Sequence, residues 1–194
     1  MTEPNYLKWI EDHSKILVLG CGSGEILKQL MLEKKADCFG LDISEQKVIA
    51  AISKGLSVIQ GDINHDLADY PPKSFDLVLA HDILQLTDNP KKIIKDILKI
   101  GHKAIVSFPN FAYLKIRLSI LLTGKMPKTQ ILPYKWYETP NIHLFTVKDF
   151  KEFCKEEGIQ VLAQDYTIFQ GKRSVNCAPN LTSEFAYFLI SCLD

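Results

Sequence analysis

Three glycines stand at alternate positions in the segment Leu19-Gly20-Cys21-Gly22-Ser23-Gly24-Glu25. Because glycine has no Cβ, such a loop can turn tightly and lets a ligand approach its backbone. A helix that begins just beyond the loop offers unpaired N–H groups to a carboxylate or phosphate. Dinucleotide-binding loops have the spacing G-x-G-x-x-G. Here the third glycine comes one residue early and Glu25 stands where that motif has glycine, which argues against NAD.

Two carboxylates follow the glycine loop at the ends of predicted strands. Asp42 comes 18 residues after Gly24, where a carboxylate can accept hydrogen bonds from both hydroxyls of a ribose. Asp62, beside the backbone N–H of Ile63, matches the amine and neighbouring ring nitrogen of an adenine. Either acid alone could simply cap the helix that follows it. Together with the glycine loop, the two acids favour an adenosine-containing ligand.

Two histidines are candidates for proton transfer. His81 directly follows the fourth predicted strand and would lie in the ligand cleft, and its ordinary pKa suits a general base. The alternative is that His81 only supports the loop or lines the ligand pocket. His143 lies in a segment with several aromatic residues and is the second, weaker candidate.

The elements that position these residues alternate along the chain. Short aliphatic runs typical of buried strands alternate with segments that have the apolar spacing of helices. We expect strands at Ile16–Leu19, Cys38–Ile43, Leu56–Gln60, Phe75–Ala80, Ala104–Phe108, Ile159–Ile168 and Ser183–Cys192. Helices are predicted to begin at caps on Ser23, Ser44, Asn89 and Thr146, with another from about Phe111 to Leu122. The chain is therefore predicted to be one Rossmann-like, doubly wound α/β domain over residues 1–194, with an antiparallel hairpin at one edge of the sheet.

Composition excludes several classes of function. Lys plus Arg and Asp plus Glu both number 23, so no strong net charge favours nucleic acid as a partner. The five cysteines include no C-x-x-C pair, which argues against a metal site and against disulfides. The chain begins without the features of a signal peptide and has no apolar run long enough to cross a membrane. We expect a cytoplasmic protein.

The segment Lys125–His143 has no clean helical or strand period. Long irregular segments in small domains are usually functional or disordered. Tyr134, Trp136 and Tyr137 lie close together in it, and such aromatic clusters favour a substrate lid or a partner-binding surface. The alternative is a loop that only packs over one end of the sheet.

The glycine loop and its two acids resemble the class I S-adenosylmethionine-dependent methyltransferases. By this resemblance, the loop holds the methionine part of the cofactor, Asp42 its ribose and Asp62 its adenine. The resemblance also implies seven strands in the order 3-2-1-4-5-7-6, with the last strand antiparallel. The cofactor-binding set it implies is Gly20, Cys21, Gly22, Gly24, Asp42, Ile43, Asp62, Ile63 and His81. One departure is Val18, which stands where the family usually has an acid that supports the loop and the ligand's amino group.

A narrower resemblance comes from Val106-Ser107-Phe108-Pro109-Asn110-Phe111, from Gly124-Lys125-Met126-Pro127 and from the run Leu132–Leu144. These segments are similar to the methionine-biosynthesis MetW family. The resemblance implies a protein that binds S-adenosylmethionine or S-adenosylhomocysteine and acts in methionine biosynthesis together with a homoserine O-acyltransferase. The alternative is a methyltransferase that acts on a small metabolite. No Asn/Asp-Pro-Pro-aromatic segment follows the fourth predicted strand, which removes DNA adenine as the acceptor.

Overall fold

The computed structural model describes residues 5–129, 131–168 and 173–192. Its strands are β1 (Lys15–Leu19), β2 (Asp37–Asp42), β3 (Ser57–Gln60), β4 (Phe75–His81), β5 (Gly101–Pro109), β6 (Ile159–Ile168), β7 (Arg173–Ser174) and β8 (Phe185–Cys192). Its α-helices are α1 (Glu25–Lys34), α2 (Glu45–Ile52), α3 (Pro90–Ile100), α4 (Leu114–Thr123), α5 (Val147–Glu156) and α6 (Pro179–Thr182). Short 3₁₀ turns span Asn5–Trp9, Asp66–Asp69 and Leu84–Leu86.

The strands form one sheet in the order β3-β2-β1-β4-β5-β8-β6-β7. β1 to β5 pair in parallel, and β8 lies antiparallel between β5 and β6. This confirms the predicted order, with β8 as the predicted last strand. The structure adds the two-residue β7, which extends the outer edge beyond β6. A strand of two residues carries too little pattern to be recognised in sequence.

Side chains on the central strands fill the space on both faces of the sheet. On one face, Leu17, Val78 and Val106 pack with apolar residues of α3 and α5. On the other face, Ile16 and Val18 pack with α1 and with the first 3₁₀ turn. Strands that are covered on both faces have continuous apolar sequences, which is why these strands could be predicted from the sequence. In this arrangement the carboxyl ends of β1 to β4 lie together at one edge of the sheet.

Two predicted helix caps are confirmed. The Asn89 side chain accepts a hydrogen bond from the Lys92 N–H, with Pro90 at the first helical position. The Thr146 side chain and Asp149 exchange hydrogen bonds with each other's backbone N–H groups as a capping box. Both caps have local sequence signatures, so no tertiary contact was needed to predict them.

Of the two other predicted caps, the one at Ser23 is wrong and the one at Ser44 is right in position only. Gly24, not Ser23, occupies the cap position of α1, and the Ser23 hydroxyl instead donates to the Glu25 carboxylate. Ser44 does occupy the cap position of α2, but its side chain makes no capping hydrogen bond. Its N–H donates to Asp42 Oδ1 instead. In both places the serine donates a hydrogen bond to an acidic side chain, Glu25 or Asp42, and its hydroxyl does not cap the helix.

The helix predicted from about Phe111 begins later, at Leu114. The reason is Asn110, which is fully buried and whose side-chain oxygen accepts a hydrogen bond from the Ala112 N–H. The Tyr113 N–H bonds the Asn110 carbonyl, so the chain turns once before the helix begins. In the part of the chain that the structure describes, no helix is both long and apolar enough to cross a membrane.

Candidate functional site

Strand pairing brings the predicted site residues to one edge of the sheet. Leu19, the last residue of β1, is level with Leu41 of β2 and with Ala80 of β4. Asp42 is level with Gln60, the last residue of β3. The glycine loop therefore begins between the end of β2, which carries Asp42, and the end of β4, which carries His81. This is the edge at which open α/β sheets bind their ligands.

The glycine loop takes a backbone conformation that favours glycine. Gly20, Gly22 and Gly24 have φ angles of 65°, 57° and 89°. A Cβ at Gly20 would lie 2.7 Å from the Ile83 side chain, and one at Gly24 would overlap Leu56. At Gly22, apart from the adjoining residues, no atom of the described part of the chain lies within 4 Å of the same position. The backbone at Gly22 thus faces open space, where a ligand can approach it.

Cys21 contributes backbone rather than side-chain chemistry to this loop. Its side chain is buried, and its Sγ lies 2.6 Å from the position of a Cβ at Gly40. Burial raises the pKa of the Cys21 thiol to about 11, so the sulfur is protonated at neutral pH. The thiol fills space between the loop and β2.

Asp42 is buried and held by the backbone of two loops. Its Oδ2 accepts from the Gly22 N–H at 2.7 Å, and its Oδ1 accepts from the Ser44 N–H at 2.9 Å. Each carboxylate oxygen can accept further hydrogen bonds, so Asp42 can still bind a pair of hydroxyls. The next residue, Ile43, is 67% exposed and offers an apolar surface beside this carboxylate.

Asp62 follows β3 and is fixed by its own turn. It accepts hydrogen bonds from the backbone N–H of Asn64 at 2.8 Å, from the Asn64 side chain at 3.1 Å and from His65 Nδ1 at 3.1 Å. The Asn64 N–H is the main cause of a lowered pKa, so Asp62 is ionised at neutral pH. Within the described ranges the Ile63 N–H finds no acceptor, while its side chain packs against the core. A carboxylate beside a free N–H is the pair that an adenine edge requires.

His81 is enclosed rather than free in the cleft. Its Nδ1 lies 2.7 Å from the Ser107 hydroxyl, and its ring contacts Tyr6 and Tyr187 at centroid distances of 6.0 and 6.1 Å. Burial lowers the pKa of His81 to about 4, so the ring is neutral at pH 7. A base with such a pKa accepts protons poorly at neutral pH.

His143 lies further along the chain, over the 3₁₀ turn that follows β4. Its N–H donates to the Gln85 carbonyl at 3.1 Å, and its ring lines an apolar cavity of about 280 Å³ with Leu84, Phe145 and Phe150. No hydrogen bond or ring contact in the described chain joins His143 to the glycine loop. The structure therefore groups His81, but not His143, with the loop.

Asp82 is a residue of this edge that sequence reasoning missed. It follows β4 directly, as Asp42 ends β2, and it has a positive φ of 55°. Burial raises the pKa of Asp82 to about 6, against a hydrogen bond from Gln85 that lowers it. The rule that identified Asp42, an acid at the carboxyl end of a buried parallel strand, would also have found Asp82. Val18, in contrast, is fully buried and presents no polar group to the loop.

No group of three or more metal-ligating side chains occurs among residues 5–129, 131–168 and 173–192. The chemistry of this edge is instead that of a backbone cradle with acids around it. The glycine loop can receive a charged or polar group, and Asp42 and Asp62 can bind hydroxyls and an amine. These are the parts from which a nucleoside site is built.

Comparison with a solved structure confirms the fold. An S-adenosylmethionine-dependent methyltransferase from Mesorhizobium loti superposes with a TM-score of 0.70 at 16% identity, over 96% of this chain and 95% of that one. At this level of identity the likeness concerns the fold alone. It agrees with the predicted Rossmann-like methyltransferase architecture.

Comparisons of sequence identify the family. A bifunctional methionine biosynthesis protein MetXA/MetW from Rhodopirellula baltica is 28% identical over 195 residues, covering 95% of this chain and 31% of that relative. A ubiquinone biosynthesis O-methyltransferase from Idiomarina loihiensis is 34% identical over 121 residues, covering 55% of this chain and 49% of the relative. The chain thus spans less than half of the length of either relative. The family model described as methionine biosynthesis protein MetW matches residues 4–190, and the chain belongs to that family.

Proposed function

We propose that the chain binds S-adenosylmethionine or S-adenosylhomocysteine at the glycine loop and acts in methionine biosynthesis with a homoserine O-acyltransferase. The observation that carries the cofactor part is the hydrogen bond from the Gly22 N–H to Asp42, which locks the loop and the ribose-binding carboxylate into one unit. The open space at Gly22 fits a ligand that crosses from the loop to Asp42.

Each part of the ligand has a matching group in this proposal. The loop backbone at Gly20, Cys21, Gly22 and Gly24 holds the methionine part, beside His81. Asp42 binds the ribose hydroxyls, and the exposed Ile43 covers one face of the adenine. When bound, S-adenosylmethionine supplies a methyl group attached to a positively charged sulfur. The chain's residues orient that ligand, and orientation dominates the catalysis of such a displacement.

Asp62 and Ile63 would recognise the edge of the adenine. The Asp62 carboxylate is ionised and can accept from the exocyclic amine, while the Ile63 N–H can donate to the neighbouring ring nitrogen. Such paired contacts discriminate adenine from other bases, because a base without the amine leaves the carboxylate unpaired.

NAD is expected not to bind. At the position where a dinucleotide loop has its third glycine, the chain has Glu25, which is tied to Lys54 by an ion pair of 3.0 Å. A pyrophosphate at that position would meet a carboxylate and a side chain instead of bare backbone. Titration with NAD should give no saturable signal, and a micromolar dissociation constant would contradict this assignment of the loop.

The partner part of the proposal concerns the segment Lys125–His143. Gln130, within it, lies outside the described residues. Trp136 is 75% exposed and its ring meets Tyr137 edge to face at 5.4 Å. An open cavity of about 460 Å³ beside them is lined by Phe111, Met126, Leu132 and Leu144, among others. Exposed aromatic residues around an apolar hollow are typical of interaction surfaces.

Several exposed side chains of α4, which precedes this segment in the chain, are also apolar. Leu121 and Leu122 are each 78% exposed, and Leu118 is 44% exposed. Clusters of exposed apolar side chains are typical of interaction sites. The relative from Rhodopirellula baltica combines a MetXA part and a MetW part in one chain, which supports a partner from the same pathway.

We expect Trp136→Ala to weaken the complex with the acyltransferase, because the indole supplies a large exposed apolar surface to the contact. The measurement is co-purification of a tagged acyltransferase with this chain, alongside acyl transfer from acyl-CoA to homoserine. Truncating one central aromatic residue of an interface typically costs about 2 kcal/mol, or about 30-fold in affinity. The melting temperature and cofactor binding should stay unchanged.

Leu32→Ala is the matched control, because Leu32 on α1 is also an exposed apolar side chain, at 72%. This variant should bind the acyltransferase as the wild type does. A complex that survives Trp136→Ala undisturbed would contradict the partner surface.

The alternative function is methyl transfer to a small metabolite. The similarity to a ubiquinone biosynthesis O-methyltransferase favours it, and the segment Lys125–His143 would then be a lid over the acceptor. This function needs a base close to the methyl group. The pKa of His81 is about 4 and its Nδ1 lies 2.7 Å from the Ser107 hydroxyl, so it could serve only as a weak base. An undisturbed complex in the Trp136→Ala experiment would make this alternative the better account.

A further inference from the structure

Asp82 lies beside the glycine loop at the end of β4. Leu19, the last residue of β1, pairs with Ala80 of β4. The next two residues, His81 and Asp82, therefore lie beside the start of the glycine loop. The Ile83 side chain comes within 2.7 Å of the position of a Cβ at Gly20. Asp82 is the residue before Ile83, so its backbone lies at the same edge of the sheet as the loop.

The position of Asp82 is fixed by four hydrogen bonds. Its N–H donates to the carbonyl and to the hydroxyl of Ser107, at 3.1 and 3.0 Å. Gln85 Nε2 donates to its carbonyl at 2.9 Å and to its Oδ1 at 2.6 Å. These bonds hold a non-glycine residue at a φ of 55°, a backbone conformation that costs free energy. Residues held in this conformation by their surroundings cluster at active sites and ligand clamps.

The Asp82 carboxylate has no cationic partner in the described part of the chain. None of the ion pairs between described residues includes it, and Gln85 donates to its side chain. Its neighbours His81 and Tyr187 are neutral at pH 7, because burial lowers the pKa of the first to about 4 and raises that of the second to about 12. The Gln85 Oε1 is itself buried and has no hydrogen-bond partner among the described residues. Burial raises the pKa of Asp82 to about 6, as expected for a carboxylate that lacks a counter-ion.

The other acids around the loop are already engaged. Glu25 pairs with Lys54 at 3.0 Å. Asp42 accepts two backbone N–H groups, and Asp62 accepts three hydrogen bonds within its turn. Val18 brings no charge, since it is a buried apolar residue. Asp82 is therefore the acid of this edge that is best placed to receive a positive charge from a ligand.

We propose that Asp82 is the counter-ion for the positive charge of the ligand bound at the glycine loop. This inference rests on the proposed function, since the ligand is taken to be S-adenosylmethionine or its demethylated product. S-adenosylmethionine carries an ammonium and a sulfonium group, S-adenosylhomocysteine carries only the ammonium, and methylthioadenosine carries neither. Ligand binding would supply the cation that the half-buried Asp82 carboxylate lacks, and a charge with reduced access to water gains most from a partner within hydrogen-bond distance.

The test is calorimetric titration of wild type and Asp82→Asn with these three ligands. Asparagine keeps the shape of the side chain and can still accept from Gln85, so the fold should persist, as the melting temperature will show. We expect Asp82→Asn to bind S-adenosylmethionine about tenfold or more weakly and methylthioadenosine equally well. Asp88→Asn is the control, because Asp88 is an exposed acid a few residues further along the same turn region. It should bind all three ligands as the wild type does.

The pattern of losses identifies the charge. A parallel loss for S-adenosylhomocysteine assigns Asp82 to the ammonium, and a loss for S-adenosylmethionine alone assigns it to the sulfonium. Unchanged affinity for S-adenosylmethionine, or an equal loss for methylthioadenosine, overturns the counter-ion role while leaving the proposed function intact. If the wild type binds none of the three ligands, the proposed function and this inference are both wrong.

Discussion

Replacing Asp42 by alanine is expected to weaken binding of S-adenosylmethionine about 10-fold to 100-fold. Two ribose hydroxyls would lose their acceptor, which costs about 1–3 kcal/mol. The Gly22 and Ser44 N–H groups would also lose their partner, so the loop would be less well ordered before the ligand arrives. Both effects act in the same direction. Calorimetric titration of the variant against the wild type gives the ratio of dissociation constants.

Asp37→Ala is the matched control for this variant. Asp37 begins the strand that Asp42 ends, and its exposed side chain lies at the opposite edge of the sheet. Asp37→Ala should therefore bind S-adenosylmethionine with the affinity of the wild type. If Asp42→Ala binds S-adenosylmethionine as tightly as the wild type and the Asp37 variant do, the ribose assignment is wrong.

Asp82→Asn should be more stable than the wild type at neutral pH. The folded-state pKa of Asp82, about 6, lies above the ordinary value of 3.8. The folded protein thus holds this proton more tightly than the unfolded chain does, and stability falls as the pH rises from about 4 to about 6. Asparagine carries no charge, so the variant avoids that loss. We expect a gain of about 1–3 kcal/mol in the free energy of unfolding above pH 7.

The gain should disappear below about pH 4, where Asp82 is protonated in both the folded and the unfolded wild type. His81 titrates near the same pH, with a pKa of about 4, but it does so in both proteins and cancels in the difference. Urea unfolding at pH 7.5 and at pH 3.5 measures both values. A wild type that is the more stable protein at pH 7.5, or a difference that does not change with pH, would contradict the raised pKa of Asp82.

The sequence predicted most of what positions the site. Glycines at 20, 22 and 24 have the positive φ angles that a tight loop requires, and Asp42 ends its strand beside them. Patterns of this kind are predictable because they depend on local backbone geometry and on strands that are buried on both faces. The order of the sheet followed from the resemblance to methyltransferases and agrees with the observed pairing.

The remaining features depend on tertiary contacts that leave no local signature. Ser23 is a favourable capping residue, yet the turn at Gly24 directs its hydroxyl to Glu25 instead. The burial of His81 against Tyr6 and Tyr187 joins residues from three distant parts of the chain, so its lowered pKa could not be predicted. The position of Asp82 also depends on a tertiary contact, the hydrogen bond from its N–H to the Ser107 hydroxyl on the neighbouring strand.

The most direct test of the central claim is isothermal titration of the full chain with S-adenosylmethionine and with S-adenosylhomocysteine. We expect saturable binding of at least one of them, with one ligand per chain. Such binding would establish the glycine loop and Asp42 as a working site in spite of Val18. No heat of binding from either ligand at millimolar concentration would contradict the account, because the fold would then have kept the shape of a cofactor site without its function.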